Sequence, residues 1–411
     1  MFLNRGKLRV FCGTWNLHAK KPTDDLRLWI RMNRYHIVAV GTEECVHSIA
    51  KSVVFTSKKQ WEDQLKDTLG SEYVLVAAHS LTAIHNVVFV HESVLPLVHN
   101  IQSDAVATGL GNQLGNKGGV GIAFSVGSTS LAFVNCHFDA HQHNVAKRNA
   151  NFHRINHELK LVATVSAVSP RSSSSALQGL GKSTVSRFTS ASTGSSSALN
   201  AAAIANSSPL RTGSSPGVQW RKLAVSESFD RVFWYGDLNY RINGTRRMID
   251  LLLLHDHHAV LRFNDQLRIE MHKGNVFPHF QEGPLHFRPT YKFDKHTNVY
   301  DSGPKQRIPS WTDRILYLSN DKPSDIELLS YRSHMNFQTS DHRPVGAAFQ
   351  VTFSRGGGPT TGRTGEGDAS PVLRGGGEEV NGREEEAQAF ARVLAKGYKP
   401  SQSRSEVCVV Q

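Results

Sequence analysis

Two β-sheets packed face to face beneath helices is the α/β arrangement that the sequence predicts, and three observations point to it. Short apolar, β-branched runs recur along the chain. Few segments of helical spacing lie between them, and no Gly-x-Gly-x-x-Gly follows the first run. The first two features favour strands that return as hairpins. The third speaks against a parallel dinucleotide-binding sheet.

The strand-like runs are Leu8–Cys12, Ile37–Val40, Tyr73–Ala77, Val87–Val90, Val120–Val126, Leu131–Val134, Val232–Trp234, Ile315–Leu318 and Val345–Phe349. Helical spacing is clear at Trp61, Leu65 and Leu69, and again at Phe152, Ile155, Leu159 and Val162. No internal repeat is present. Two segments break the pattern. Residues 166–216 hold 17 serines, one aromatic (Phe188) and no acid, too little apolar surface to offset ordering entropy, so they are expected to be a disordered insertion. From residue 354 a Gly-rich stretch opens a flexible tail that runs to 411, with one short helix expected over 383–396. A single folded body is therefore expected over 1–353, interrupted by the insertion.

A chain of 411 residues with 39% hydrophobic and 20% charged residues has the surface for a sizeable core, which excludes global disorder. No apolar run approaches the roughly 20 residues of a membrane span, and the N-terminus has no signal-peptide core. The four cysteines (Cys12, Cys45, Cys136, Cys408) have neither metal-finger spacing nor the density of a disulfide scaffold, so a reducing, cytoplasmic compartment is expected. The net charge is +12, and residues 355–411 hold 8 basic and 8 acidic residues, so the whole excess lies in the folded body. A basic body fits an anionic partner: nucleic acid, an acidic membrane face or a phosphorylated small molecule.

Polar residues recur at the ends of the strands. Gly13-Thr14-Trp15-Asn16, Gly41-Thr42-Glu43-Glu44, Asn135-Cys136-His137 and Gly236-Asp237-Leu238-Asn239 follow strands, while Trp311-Thr312-Asp313-Arg314 and Ser340-Asp341-His342 precede them. Six such ends, all offering Asn, Asp, Glu or His, describe one convergent site. Their hard oxygen donors suit magnesium rather than zinc or copper. With no nucleophilic Ser or Cys motif, the set fits hydrolysis of a phosphate ester by an activated water. Lone features read differently: His255, His257 and His258 as a solvated helix end, Cys12, Cys45 and Cys136 as inert buried thiols, Trp15 and Trp311 as packing.

The motifs Gly111-Asn112-Gln113-Leu114-Gly115-Asn116-Lys117-Gly118-Gly119-Val120, Phe233-Trp234-Tyr235-Gly236-Asp237-Leu238-Asn239-Tyr240-Arg241-Ile242 and Arg307-Ile308-Pro309-Ser310-Trp311-Thr312-Asp313-Arg314-Ile315-Leu316 stand in that order. In this the chain resembles the inositol polyphosphate 5-phosphatases, within the magnesium-dependent superfamily of deoxyribonuclease I and the apurinic endonucleases. The resemblance covers roughly residues 8–350. It implies a four-layered β-sandwich of two mixed sheets flanked by helices. It also implies magnesium-dependent removal of the 5-phosphate from phosphoinositides (phosphatidylinositol 4,5-bisphosphate, 3,4,5-trisphosphate) or soluble inositol polyphosphates. The alternative is a magnesium-dependent endonuclease on the same scaffold, although no nucleic acid is expected as partner.

The resemblance also implies roles. Glu44 resembles the metal-binding glutamate, with Asn16 beside it as a second ligand or water holder. Asp237 resembles the residue that orients or deprotonates the attacking water, and Asn239 the residue that positions that water. His342 resembles the transition-state histidine, with Asp313 fixing its tautomer. Asp341 falls near the metal, and His137 resembles a second phosphate-side histidine. Tyr291, Lys292, Lys305 and Arg307 match a loop that reads a 4-phosphate, and Lys117, Arg241 and Arg314 add substrate-facing cations. Two positions depart from the family pattern: Glu43 adds a charge beside Glu44, and Thr312 stands where cysteine is usual. The last residues, Cys408-Val409-Val410-Gln411, form a C-a-a-X box that predicts farnesylation of Cys408 by a prenyltransferase and peripheral attachment to an acidic membrane surface. A monomer is expected.

Overall fold

β1 (Lys7–Asn16) shows how the chain is layered. Its Leu8, Val10 and Cys12 enter one apolar core, while the intervening Phe11 and Trp15 enter another. A strand buried on both faces reads as a continuous apolar run, the signal visible in the sequence. The computed structural model describes residues 6–45, 58–109, 111, 115–163 and 223–355. The serine-rich segment 166–216, Asn112 to Leu114 of the first motif, the helix expected over 383–396 and Cys408 lie outside them.

Two six-stranded sheets result. One runs β11 (Ile326–Ser333), β12 (Val345–Thr352), β1, β2 (Ile37–Glu43), β4 (Ile84–His91), β3 (Tyr73–Leu81). The other runs β5 (Val98–Ala107), β6 (Gly118–Val126), β7 (Thr129–His137), β8 (Arg231–Asp237), β10 (Asp313–Ser319), β9 (Gln281–Glu282). The pairs β1–β2 and β7–β8 are parallel and all other neighbours antiparallel, so both sheets are mixed. Between the sheets lies a core in which Phe133 stacks on Phe124 and Phe233. On the outer face of the first sheet, α1 (Lys59–Leu69) buries Trp61, Leu65 and Leu69. On the other, α2 (Val145–Glu158) buries Phe152 and Ile155 against Trp234 and Phe277. This is the four-layered sandwich that the resemblance implied. Truncating Phe152 to Ala would cost about 3–5 kcal/mol, because the facing rings leave a cavity.

Three differences from the sequence reading have physical reasons. β5 and β11 are sheet-edge strands, half exposed and partly polar, and therefore lack an apolar run. The second helix ends at Glu158, so Leu159 is its cap and Val162 is exposed beyond it. After α3 (Val225–Ser228), three further short helices follow β8: α4 (Arg246–Leu254), α5 (His258–Phe263) and α6 (Gln266–His272). Thr245 caps α4 by accepting from the Met248 amide, and Asp265 caps α6 by accepting from the Arg268 amide. His255, His257 and His258 lie where α4 passes to α5; the first two are exposed and the third half-buried, as a solvated helix end should be.

Candidate active site

Strand register alone brings the key residues together. In the second sheet Asp237 is the ladder partner of both His137, across the parallel β7–β8 pair, and Asp313, across the antiparallel β8–β10 pair. In the first sheet Asn16 pairs with Glu43 at the ends of β1 and β2, and the Ser340–His342 loop enters β12 beside them. Gly236 makes the β7–β8 approach possible. Its φ of +135° suits glycine, and a Cβ there would stand 2.0 Å from the Cys136 carbonyl oxygen.

One oxygen is the meeting point. Asp237 Oδ2 accepts from the Asn16 side-chain amide at 3.1 Å, which joins the two sheets. The same oxygen lies 3.3 Å from His137 Nε2 and 4.0 Å from His342 Nε2. The other nitrogen of His342, Nδ1, is 3.0 Å from Asp313 Oδ2, and that carboxylate also accepts from Thr290 Oγ1 at 2.6 Å and Thr312 Oγ1 at 2.9 Å. Asp237, Asp313 and His342 present donor atoms within 4.8 Å of one another.

These surroundings set the charges. Burial alone would raise Asp237, but the His137 hydrogen bond and the positive charges of His342 and Lys117 outweigh it and hold the carboxyl well below the usual range. Burial likewise works against charge on His342, yet Asp313, Asp237 and Asp341 push it up to about 10. His137 moves the other way, lowered by burial and then by Lys117. The site therefore pairs an imidazolium with a neutral imidazole across one carboxylate. Environments that push two like groups apart in this way mark division of acid–base roles. Lys117, half-buried and hydrogen-bonded to His137 Nε2, is brought down to about 8, chiefly by burial.

The two adjacent glutamates separate. Glu43, the last residue of β2, is fully buried and faces Thr14 Oγ1 at 3.4 Å; burial, then Asp237 and Asp313, raise its carboxyl well above the ordinary range. Glu44, with φ of +48°, turns out to the open side, where its Oε1 lies 3.5 Å from the Asn16 amide. Of the two, Glu44 is thus the acid on the open side of the site. Asn16, Glu44 and Asp237 offer the hard oxygens that a divalent cation takes.

Other expected residues take different places. Asn239 bonds with its side chain to the Phe138 carbonyl and to Arg241, and its amide donates to Asp237 Oδ1 at 3.1 Å, which holds the turn beside Asp237. Lys292 is ion-paired to Asp341 Oδ2 at 2.8 Å, on the catalytic side. A cavity of about 390 Å³ is lined instead by Arg241, Tyr291, Lys305 and Arg307, together with His141 and His143. Arg241 lies over the Tyr291 ring at 4.5 Å. Arg314 is not substrate-facing. It is fully buried on the opposite strand face from Asp313, bonded to both Asp265 oxygens and to Glu282. Trp15 and Trp311 are packing, donating to the His342 and Phe287 carbonyls. Cys12, Cys45 and Cys136 are buried free thiols. His18, His141 and His143 lie in no motif, and only the proximity of His18 to Asn16 signals it; Thr290 lies beside Tyr291 in the loop expected to read a phosphate, but its bond to Asp313 is not legible from that.

The sequence matches the model of the endonuclease/exonuclease/phosphatase family 2 over residues 13–348. Among curated proteins it is 31% identical over 356 residues to the human (Homo sapiens) phosphatidylinositol polyphosphate 5-phosphatase type IV, covering 84% of this chain and 46% of that protein. It is 31% identical to synaptojanin of Caenorhabditis elegans, covering 85% and 28%, and 30% identical to human phosphatidylinositol 4,5-bisphosphate 5-phosphatase A, covering 84% and 31%. The chain thus spans about half the length, or less, of these curated relatives. Among solved structures, the inositol polyphosphate 5-phosphatase domain of spSynaptojanin, in complex with inositol (1,4)-bisphosphate and calcium ion, matches at 27% identity. Its TM-score is 0.62, with 84% of each chain covered. Cimex nitrophorin, at 19% identity and TM-score 0.56 over 85% of this chain and 99% of its own, shares the fold alone. From the match over residues 13–348, most of its length, the chain belongs to the endonuclease/exonuclease/phosphatase family 2.

Proposed function

We propose that the chain is a magnesium-dependent phosphoric monoester hydrolase that removes the 5-phosphate from phosphoinositides or soluble inositol polyphosphates. The observation that carries this reading is the convergence of Asn16, His137 and His342 on Asp237 Oδ2. The activities for which the relatives are named and the basic charge of the folded body support it. Acidic membrane is the natural surface for such a body when the substrate is a lipid.

Asn16 and Glu44 would hold the cation, which when bound neutralises phosphoryl charge and lowers the pKa of water. Asp237 is a poor proton acceptor at its depressed value and acts by orienting the attacking water. The His342 imidazolium places a fixed positive charge where the phosphoryl oxygens gain negative charge. Arg241, Lys305 and Arg307 bind a neighbouring ring phosphate in the cavity they line.

The test is phosphate release from a panel: bisphosphate and trisphosphate phosphoinositide vesicles, soluble inositol trisphosphate, and duplex DNA, each with magnesium and with chelator. Release from 4,5-phosphorylated substrates, lost in Asp237→Ala and in chelator, is expected. Cleavage of DNA without release from any inositol substrate would replace this reading with the nuclease one.

A further inference from the structure

His18 stands at the open side of the site, two residues beyond Asn16, and no catalytic role above uses it. Its Nδ1 is 3.6 Å from Glu44 Oε2 and 3.5 Å from Asp341 Oδ1. The backbone fixes it there. With φ of +47°, its amide donates to Asn16 Oδ1 at 3.0 Å, while Leu17 N and Ala19 N donate to the carbonyls of Glu43 and Glu44. The turn is thereby stitched to the residues that face the cation. His18 is 39% exposed at its side chain, so an ion from solvent reaches it.

Donors about 2.0–2.2 Å from a common ion lie roughly 3.0–3.5 Å apart as neighbours in its shell. The 3.6 Å from Nδ1 to Glu44 Oε2 is within a small side-chain movement of that, and the part-exposed Glu44 carboxylate has room to make it. Asp341 keeps Oδ1 toward His18, since Lys292 pairs with its Oδ2. Among the described residues at the mouth of the site, His18 is thus a nitrogen donor set between two carboxylates.

We propose that His18 Nδ1 is a ligand of the divalent-cation centre beside Glu44, and that it tilts this chain toward first-row transition ions such as Mn²⁺ over Mg²⁺. Imidazole suits those ions, whereas magnesium favours oxygen throughout its shell. The inference rests on reading Asn16 and Glu44 as cation-facing.

The experiment is titration calorimetry of the full chain with Mn²⁺ and with Mg²⁺, without substrate, for wild type and His18→Asn. Asparagine tolerates the left-handed backbone and preserves the turn. Pulsed electron paramagnetic resonance of the Mn²⁺ complex reads ¹⁴N coupling directly. The expected result is about a tenfold rise in the Mn²⁺ dissociation constant in His18→Asn, a change of less than about twofold for Mg²⁺, and a lost ¹⁴N coupling. Equal changes for both ions, or an undiminished coupling in the variant, would overturn the assignment and leave the phosphatase reading standing. Absence of divalent-cation binding by the wild type would overturn both.

Discussion

His342 Nδ1 lies 3.0 Å from Asp313 Oδ2, and that carboxylate is held in turn by the hydroxyls of Thr290 and Thr312. The pair is buried, so the ring is held in one orientation, with Nε2 aimed at Asp237. Asp313→Asn removes the charge and keeps the shape. The expected outcome is a fall in kcat of about 10²–10⁴ with KM little changed, because the imidazolium acts on charge that develops in the transition state. The ring's titration, followed by NMR, should drop from about 10 toward the ordinary histidine range. An unchanged kcat would remove His342 from the catalytic set.

Histidine titrations should also shape stability. His342 is raised to about 10, so the folded state keeps a proton that the unfolded chain releases near 6.5; its contribution is full below that pH and is lost as pH rises toward 10. His85 and His334 are lowered to about 3 and about 4, mainly by burial. Their contributions are full above about 6.5 and are lost as pH falls toward those values. Urea midpoints should therefore fall on both sides of about pH 6.5. His85→Asn should flatten the acid limb and Asp313→Asn the alkaline one. Limbs that keep their slopes in both variants would contradict the assignment.

The contrast between Asp313 and Arg314 shows what a sequence conveys and what it withholds. Both lie in one motif, and the expectation gave both a place in the site. Successive strand residues face opposite sides, so one reaches His342 while the other enters the far core. Asn16, Glu44, His137, Asp237, Asp313 and His342 were legible because strand ends confine them to one edge of the sandwich. His18 and Thr290 were not, since their roles come from turns whose direction no periodicity encodes. β5 and β11 were illegible for a related reason: an edge strand keeps polar residues on its solvent side.

Arg314 supplies a structural prediction. Its guanidinium ties the α6 cap Asp265 and the β9 residue Glu282 to β10, with all three groups buried or nearly so. Arg314→Met leaves two carboxylates without their cation, a loss of about 3–5 kcal/mol. Thermal unfolding should show a markedly lower midpoint. At a temperature where the variant is still folded, KM should match the wild type, because the side chain never meets substrate. A raised KM with unchanged stability would restore the substrate-binding role.

Lys305 and Lys292, both expected to read a ring phosphate, should separate in kinetics. Lys305 is exposed and lines the cavity with Arg241 and Arg307, whereas Lys292 is spent on Asp341 at 2.8 Å. Lys305→Ala should raise KM about tenfold for substrates that carry a 4-phosphate, with little effect on those that lack it, since one charge-assisted contact to an anion contributes on the order of 1.5 kcal/mol. The loss should shrink as salt screens the exposed lysine. Lys292→Ala should act on kcat instead, by releasing Asp341 beside the cation-facing residues, and equally for both substrate types. Equal KM losses for substrates with and without the 4-phosphate in Lys305→Ala would mean that the cavity does not read the ring, and a 4-phosphate-dependent loss in Lys292→Ala would place that lysine in the pocket.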